Sequence, residues 1–88
     1  MITKEYTITA AQGMHARPAT TLIRLVKNFK SSISLKKGDK VIKLNSMLNI
    51  LSLGIKGGEQ VSIIINGDDE ISAVIAIDEF FKDQLKDL

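Results

Sequence analysis

An α+β domain of two packed layers is what this sequence predicts, and three observations carry that expectation. Stretches that alternate apolar and polar residues with period two, at residues 2–9 and 60–65, suit strands with one buried face. Stretches whose apolar residues recur every three or four positions, from Ala16 and again from Val74, suit helices with one buried stripe. The order is β-α-β-β-α-β-α in 88 residues, enough for one modest core and too few for two. Residues 1–88 are therefore expected to form a single domain.

In the first strand Ile2, Tyr6 and Ile8 share a face, and residues 10–13 are the turn out of it. The first helix is expected from Ala16 to about Phe29, with Ala19, Leu22, Ile23, Val26 and Phe29 as its apolar stripe. Pro18 is tolerated in its first turn, where the missing amide would have no intrahelical partner. Residues 32–35 and 41–44 flank Lys37-Gly38-Asp39, a turn-forming centre, and read as a hairpin. Residues 46–53 look like a short helix, with the Ser46 hydroxyl as N-cap and Gly54 as a left-handed C-terminal cap. After the loop Lys56-Gly57-Gly58-Glu59, a strand at residues 60–65 puts Val61, Ile63 and Ile65 on one side. Asp68 or Asp69 is the expected cap of the last helix, and Glu70 suits its positive end. Val74, Ile77, Phe81, Leu85 and Leu88 form that helix's apolar stripe, with Ile71 and Phe80 at its margins.

Composition narrows the function classes. Hydrophobic residues are 44% and charged residues 25%, the ordinary balance of a soluble protein. Without cysteine there is no disulfide, thiol nucleophile or cysteine-bound zinc. One histidine is too few for a transition-metal site, so neither metal nor cofactor is expected. No glycine-rich phosphate loop or carboxylate constellation suggests an independent hydrolase or kinase. The first residues lack a signal-peptide apolar core and no apolar run approaches bilayer length, so a cytoplasmic protein without membrane insertion is expected. The net charge of +2 is only mildly basic. Lys36, Lys37, Lys40 and Lys43 cluster around the hairpin, but no aromatic residue there offers base stacking. These lysines are read as keeping a sheet edge soluble, with no nucleic-acid partner.

The chemistry-bearing stretch is Met14-His15-Ala16-Arg17-Pro18-Ala19-Thr20, entered through Gly13. It holds the single histidine and the single proline, beside an arginine, where a helix begins. A helix start offers free amides and partial positive charge, which suits a phosphate. Neutral imidazole is a nucleophile near pH 7, and a phosphoryl group on its nitrogen is labile enough to be passed on. Arg17 has a planar fork suited to phosphate oxygens. Pro18 and Gly13 are read as support for the helix start. Arg17, Arg24 and Lys27 fall along one side of the helix and read either as a solvated face or as a basic stripe steering an acidic partner. In the short helix, Met47, Leu48, Ile50 and Leu51 are too many apolar residues to bury against one sheet. Most such residues are core, and the alternative is that Met47, Leu48 and Leu51 contribute to an exposed docking patch beside His15.

Gly13-Met14-His15-Ala16-Arg17-Pro18-Ala19-Thr20 resembles the active-site signature of HPr, the histidine-containing phosphocarrier family of the sugar phosphotransferase system. Leu44-Asn45-Ser46-Met47-Leu48-Asn49-Ile50-Leu51-Ser52-Leu53-Gly54 is similar to that family's regulatory-serine segment. The two blocks lie at the family's relative spacing in a chain of the family's length. The resemblance implies an open-faced β-sandwich, a four-stranded antiparallel sheet covered on one face by three helices. It implies phosphorylation of His15 on Nδ1 by Enzyme I charged from phosphoenolpyruvate, and transfer onward to IIA domains of sugar permeases. Such a protein is a phosphorylated intermediate and not an enzyme. Met14, Thr20, Arg24, Lys27, Met47, Leu48 and Leu51 are the partner-binding residues it suggests, on a monomer. A regulatory paralogue, such as a nitrogen-branch carrier, is the nearest alternative. Ser46 matches the serine that an ATP-dependent HPr kinase/phosphorylase modifies in many members, which links the protein to a transcriptional regulator. Asn45 and Asn49 stand where the kinase-regulated version commonly has lysine and glycine, and Gln12 is also atypical. These departures bear on kinase and regulator recognition and leave the carrier assignment intact.

Overall fold

A computed structural model describes residues 1–88. Its elements are β1 (Ile2–Thr7), α1 (Ala16–Val26), β2 (Ser32–Lys37), β3 (Lys40–Lys43), α2 (Met47–Ser52), β4 (Gln60–Asn66) and α3 (Glu70–Glu79). A π turn at Phe80–Gln84 and a 3₁₀ turn at Leu85–Asp87 continue α3 to the end of the chain. The strands form one antiparallel sheet in the order β1-β4-β2-β3. Ile63 of β4 lies opposite Lys4 on one side and Leu35 on the other. Tyr6, Ile33, Leu35, Val61, Ile63 and Ile65 are buried beneath the helices. Glu5 and Lys36 alternate with them on the open side. The expected open-faced sandwich is therefore the observed one.

The local reasons match most of the sequence reading. Gly38 has φ +59 in the two-residue link between β2 and β3, which a tight hairpin turn of this length requires. The Ser46 hydroxyl accepts from the Asn49 amide at 3.4 Å, the expected N-cap of α2. Gly54 follows with φ +61 and its amide bonded to the Leu51 carbonyl at 3.2 Å. Lys37 ties the hairpin to the segment after α2, donating to the Leu53 carbonyl at 3.2 Å and pairing with Glu59 at 3.2 Å.

Three expectations are corrected. First, α1 ends at Val26, and the chain then tightens into turns in which Asn28 and Phe29 bond back three residues, to Leu25 and Val26. Phe29 still packs against the core from that turn. Second, the Asp69 side chain does not cap α3, although Asp69 occupies the cap position. Its carboxylate instead accepts from the amides of Lys30 at 2.7 Å and Ser31 at 2.9 Å, and from the Ser31 hydroxyl. The carboxylate thereby binds the turn after α1 to the start of α3. Those bonds, the Ser31 hydroxyl foremost, hold its carboxyl below the usual range. Third, Phe80 is core and not margin. The π turn widens the helix there, so that Phe80 and Phe81 both face inward in edge-to-face contact with centroids 5.0 Å apart. Phe81 also stacks on Tyr6 at 4.4 Å. The Tyr6 hydroxyl donates to Asp78, and burial, followed by that bond and charge, pushes the phenol above its ordinary range.

The turn that leads into α1 is clamped to the segment after α2. The Met14 amide donates to the Ile55 carbonyl at 3.1 Å, and the Gly13 amide to Ala10 at 2.9 Å. Gly13 has φ +71, and a Cβ there would lie 2.2 Å from the Ile55 carbonyl oxygen. Both conformation and space demand glycine at this position.

Gly13→Ala is accordingly expected to lower stability by at least roughly 1–3 kcal/mol, as for a strained left-handed residue, read as a fall in the urea midpoint at pH 7. A second expectation concerns acid. A carboxyl whose folded pKa is depressed contributes stability above its unfolded pKa of about 3.9 and loses it as pH falls below that value. Asp69→Asn should therefore lower the unfolding midpoint at pH 7, and the gap to the parent should close below about pH 4.

Candidate functional site

His15 is the residue before α1, extended at φ −81 and ψ −171, and its side chain makes no capping bond. The ring is half-buried, and Nε2 lies 3.2 Å from the main-chain oxygen of Leu88. That oxygen can only accept, so the contact places a proton on Nε2 and leaves Nδ1 of the neutral ring with its lone pair. Ala16, Arg17 and Pro18 form the first turn of α1. Pro18 is buried and has no amide to leave unpaired. The amides of Ala16 and Arg17 have no carbonyl one turn earlier in the helix to accept them. Arg17 is exposed, with no ion pair. No carboxylate lies in this first turn. A nucleophilic nitrogen, two free amides and a free guanidinium therefore share one helix start, an arrangement able to receive and hold a phosphoryl group.

Beside it, α1 and α2 meet. The Thr20 hydroxyl donates to the Ala16 carbonyl at 2.8 Å and lies 3.2 Å from the Met47 sulfur. Thr20, Ile23, Arg24, Lys27, Asn45 and Met47 line a groove of about 270 Å³ between the helices. Met47 is 38% and Leu48 75% exposed, whereas Ile50 is buried. This resolves the crowded apolar sequence of α2: Ile50 faces the sheet, Leu51 packs half-buried against the core, and Met47 and Leu48 face out. Arg24 and Lys27 are exposed along the same flank. Ser46 is half-buried at the start of α2.

Met14 is a correction. The sequence places it among the partner-binding residues, but it is only 3% exposed and belongs to the core. The bond from its amide to Ile55 fixes the turn in which this buried residue precedes His15. In the other direction, the contact between His15 and Leu88 is a site feature that sequence reasoning missed. Seventy-three residues separate the two, and no local pattern signals their meeting.

Residues 2–83 match the family model described as the PTS HPr component phosphorylation site. Among solved structures, the histidine-containing phosphocarrier protein of Mycoplasma is 31% identical with a TM-score of 0.88, over 96% of each chain. The phosphocarrier protein HPr of Bacillus anthracis is 26% identical with a TM-score of 0.84, over 92% of this chain and 96% of its own. An HPr dimer from Thermoanaerobacter tengcongensis is 37% identical with a TM-score of 0.68, over 86% of this chain and 91% of its own. The family match spans nearly the whole chain, and with the sheet topology it means that this chain belongs to the HPr family of phosphotransferase-system phosphocarriers.

Proposed function

We propose that His15 is the phosphoryl carrier, accepting from phosphorylated Enzyme I and donating to IIA domains of sugar permeases. The observation that carries this reading is the free helix start, with the His15 ring tethered through Nε2 and uncapped on its other nitrogen. In the forward step, the Nδ1 lone pair forms a bond to phosphorus as the bond from phosphorus to the donor breaks. The ring becomes a cation that keeps its Nε2 proton, and the Leu88 oxygen stabilises that charge. Arg17 and the first-turn amides neutralise the phosphoryl oxygens. In the return step the P–N bond breaks toward the acceptor, and the ring regains its lone pair. The protein is consumed and regenerated by its partners' reactions and has no turnover of its own.

Thr20, Arg24, Lys27, Met47, Leu48 and Leu51 form the docking surface in this reading. Cations on its rim speed encounter with acidic partners, and the apolar residues supply contact area. Ser46 is the regulatory site that an HPr kinase/phosphorylase would address. A phosphate there adds negative charge at the edge of a surface whose other charges are positive, weakening acidic partners and creating a feature that a transcriptional regulator can read. A monomer in the cytoplasm fits a carrier that must meet several partners in turn. The dimeric Thermoanaerobacter relative makes oligomeric state a quantity to measure.

Two outcomes test this reading. Incubation with phosphoenolpyruvate and Enzyme I should add one phosphoryl group by intact mass, removable by acid and absent from His15→Ala. No gain with an Enzyme I proven on another HPr would overturn it. Charge reversal at Arg24 or Lys27 should slow transfer by about tenfold at low salt, with the deficit shrinking as salt rises. Unchanged rates and salt dependence would mean that the stripe is only solvated surface.

A further inference from the structure

We infer that the cleft formed by the end of α1, the start of β2 and the connection from β3 to α2 binds a sugar phosphate. This cleft of about 360 Å³ is lined by Lys27, Lys30 and Lys43, by Ser31, Ser32 and Asn45, and by an apolar floor. Its floor residues Val26, Ile33 and Leu44 are all buried core residues, so the wall behind the ligand is packed core. Lys27 and Lys30 come from the connection after α1 and Lys43 from β3, no carboxylate is among the lining residues, and the ion pairs of the molecule, Met1 with Glu70 and Lys37 with Glu59, include none of the three. Asp69 reaches the same turn, but its carboxylate is engaged by the amides of Lys30 and Ser31 and by the Ser31 hydroxyl. Against the one negative charge of Asp69, three lysines leave a surplus of positive charge around the cleft, which favours a phosphate dianion there.

The rest of the cleft favours an ester with a hydroxylated body over free phosphate. Its volume is within the range of small-molecule sites, about 300–1,000 Å³, and a bare phosphate would leave most of it unfilled. Ser32 and Asn45 offer hydrogen bonds to ring hydroxyls, and Ser31, whose proton goes to Asp69, can still accept one. The apolar floor suits the carbon face of a sugar ring. This site lies beyond the helix start at His15, and its ligand needs no phosphoryl transfer. Lys27 and Asn45 also line the groove between α1 and α2, so an occupied cleft would remove one cation from that surface.

The test is an amide NMR titration of the protein alone at constant ionic strength, with glucose 6-phosphate, glucose and inorganic phosphate as probes. Glucose 6-phosphate should give saturable shifts at residues 30–33 and 43–45, with glucose silent and inorganic phosphate markedly weaker. Lys30→Gln and Lys43→Gln, both on the surface, should each weaken binding by about tenfold, the loss of one charge-assisted bond. Absence of saturation, equal affinity for inorganic phosphate, parental affinity in both variants, or shifts confined to residues 15–20 would each overturn the assignment. Because no partner protein is present, the result is independent of the carrier role of His15.

Discussion

Burial of one apolar face of the sheet is the constraint on which everything else in this small protein rests. With no cysteine for a disulfide and no group of three or more His, Cys, Asp or Glu side chains placed to hold a metal ion, the strands must supply the hydrophobic surface against which every helix packs. β4 carries most of that duty, paired on both sides and contributing Val61, Ile63 and Ile65, none more than 2% exposed. Ala19 and Leu22 of α1, Ile50 of α2, and Ile77, Phe80 and Phe81 of the last helical segment close over it. α2 and α3 carry more apolar surface than the sheet covers, leaving Met47, Leu48, Ile71 and Ile75 exposed.

The site is a consequence of how the connections are anchored. Met14 is bonded to Ile55 and Gly13 packs against it, so the start of α1 is fixed by the segment that follows α2. Thr20 contacts Met47, which sets α2 beside α1. The last residues reach His15 from the far end of the chain. Three contacts remote in sequence thus hold a single imidazole with one nitrogen tethered and the other available. In the proposed carrier role this balance serves His15: a capped or buried histidine would be inaccessible to two partners in succession, and a freely rotating one would lose orientation at each transfer.

Charge is distributed unevenly along the fold. After Gly67 there are seven carboxylates and two lysines, whereas the preceding residues hold ten of the twelve cations and only three carboxylates. A net charge of +2 therefore hides a molecule with a basic flank at α1 and the hairpin and an acidic one at α3. Both the groove between α1 and α2 and the lysine-lined cleft lie on the basic flank, and Lys27 and Asn45 line the two of them. Under the proposals above, a small ligand and a protein partner would meet at that common border.

Local patterns in the chain were enough for the order of elements, the buried faces of the strands, the caps at Ser46 and Gly54, and the helix start around His15. These are local properties, written in period-two and period-three-to-four spacing and in the conformational limits of glycine and proline. The sequence also carried the family, because two blocks stood at a definite spacing. The tertiary structure alone decided what local patterns cannot encode. Asp69 left its own helix to bind Ser31, since two amides and a hydroxyl offered more partners than a cap would. Phe80 moved from margin to core because a π turn changed the helical phase. Met14 turned inward beside an exposed His15, and Leu88 arrived next to the imidazole. Each of those outcomes depends on a partner more than thirty residues away or on a break in helical period, and neither is visible in a window of neighbouring residues.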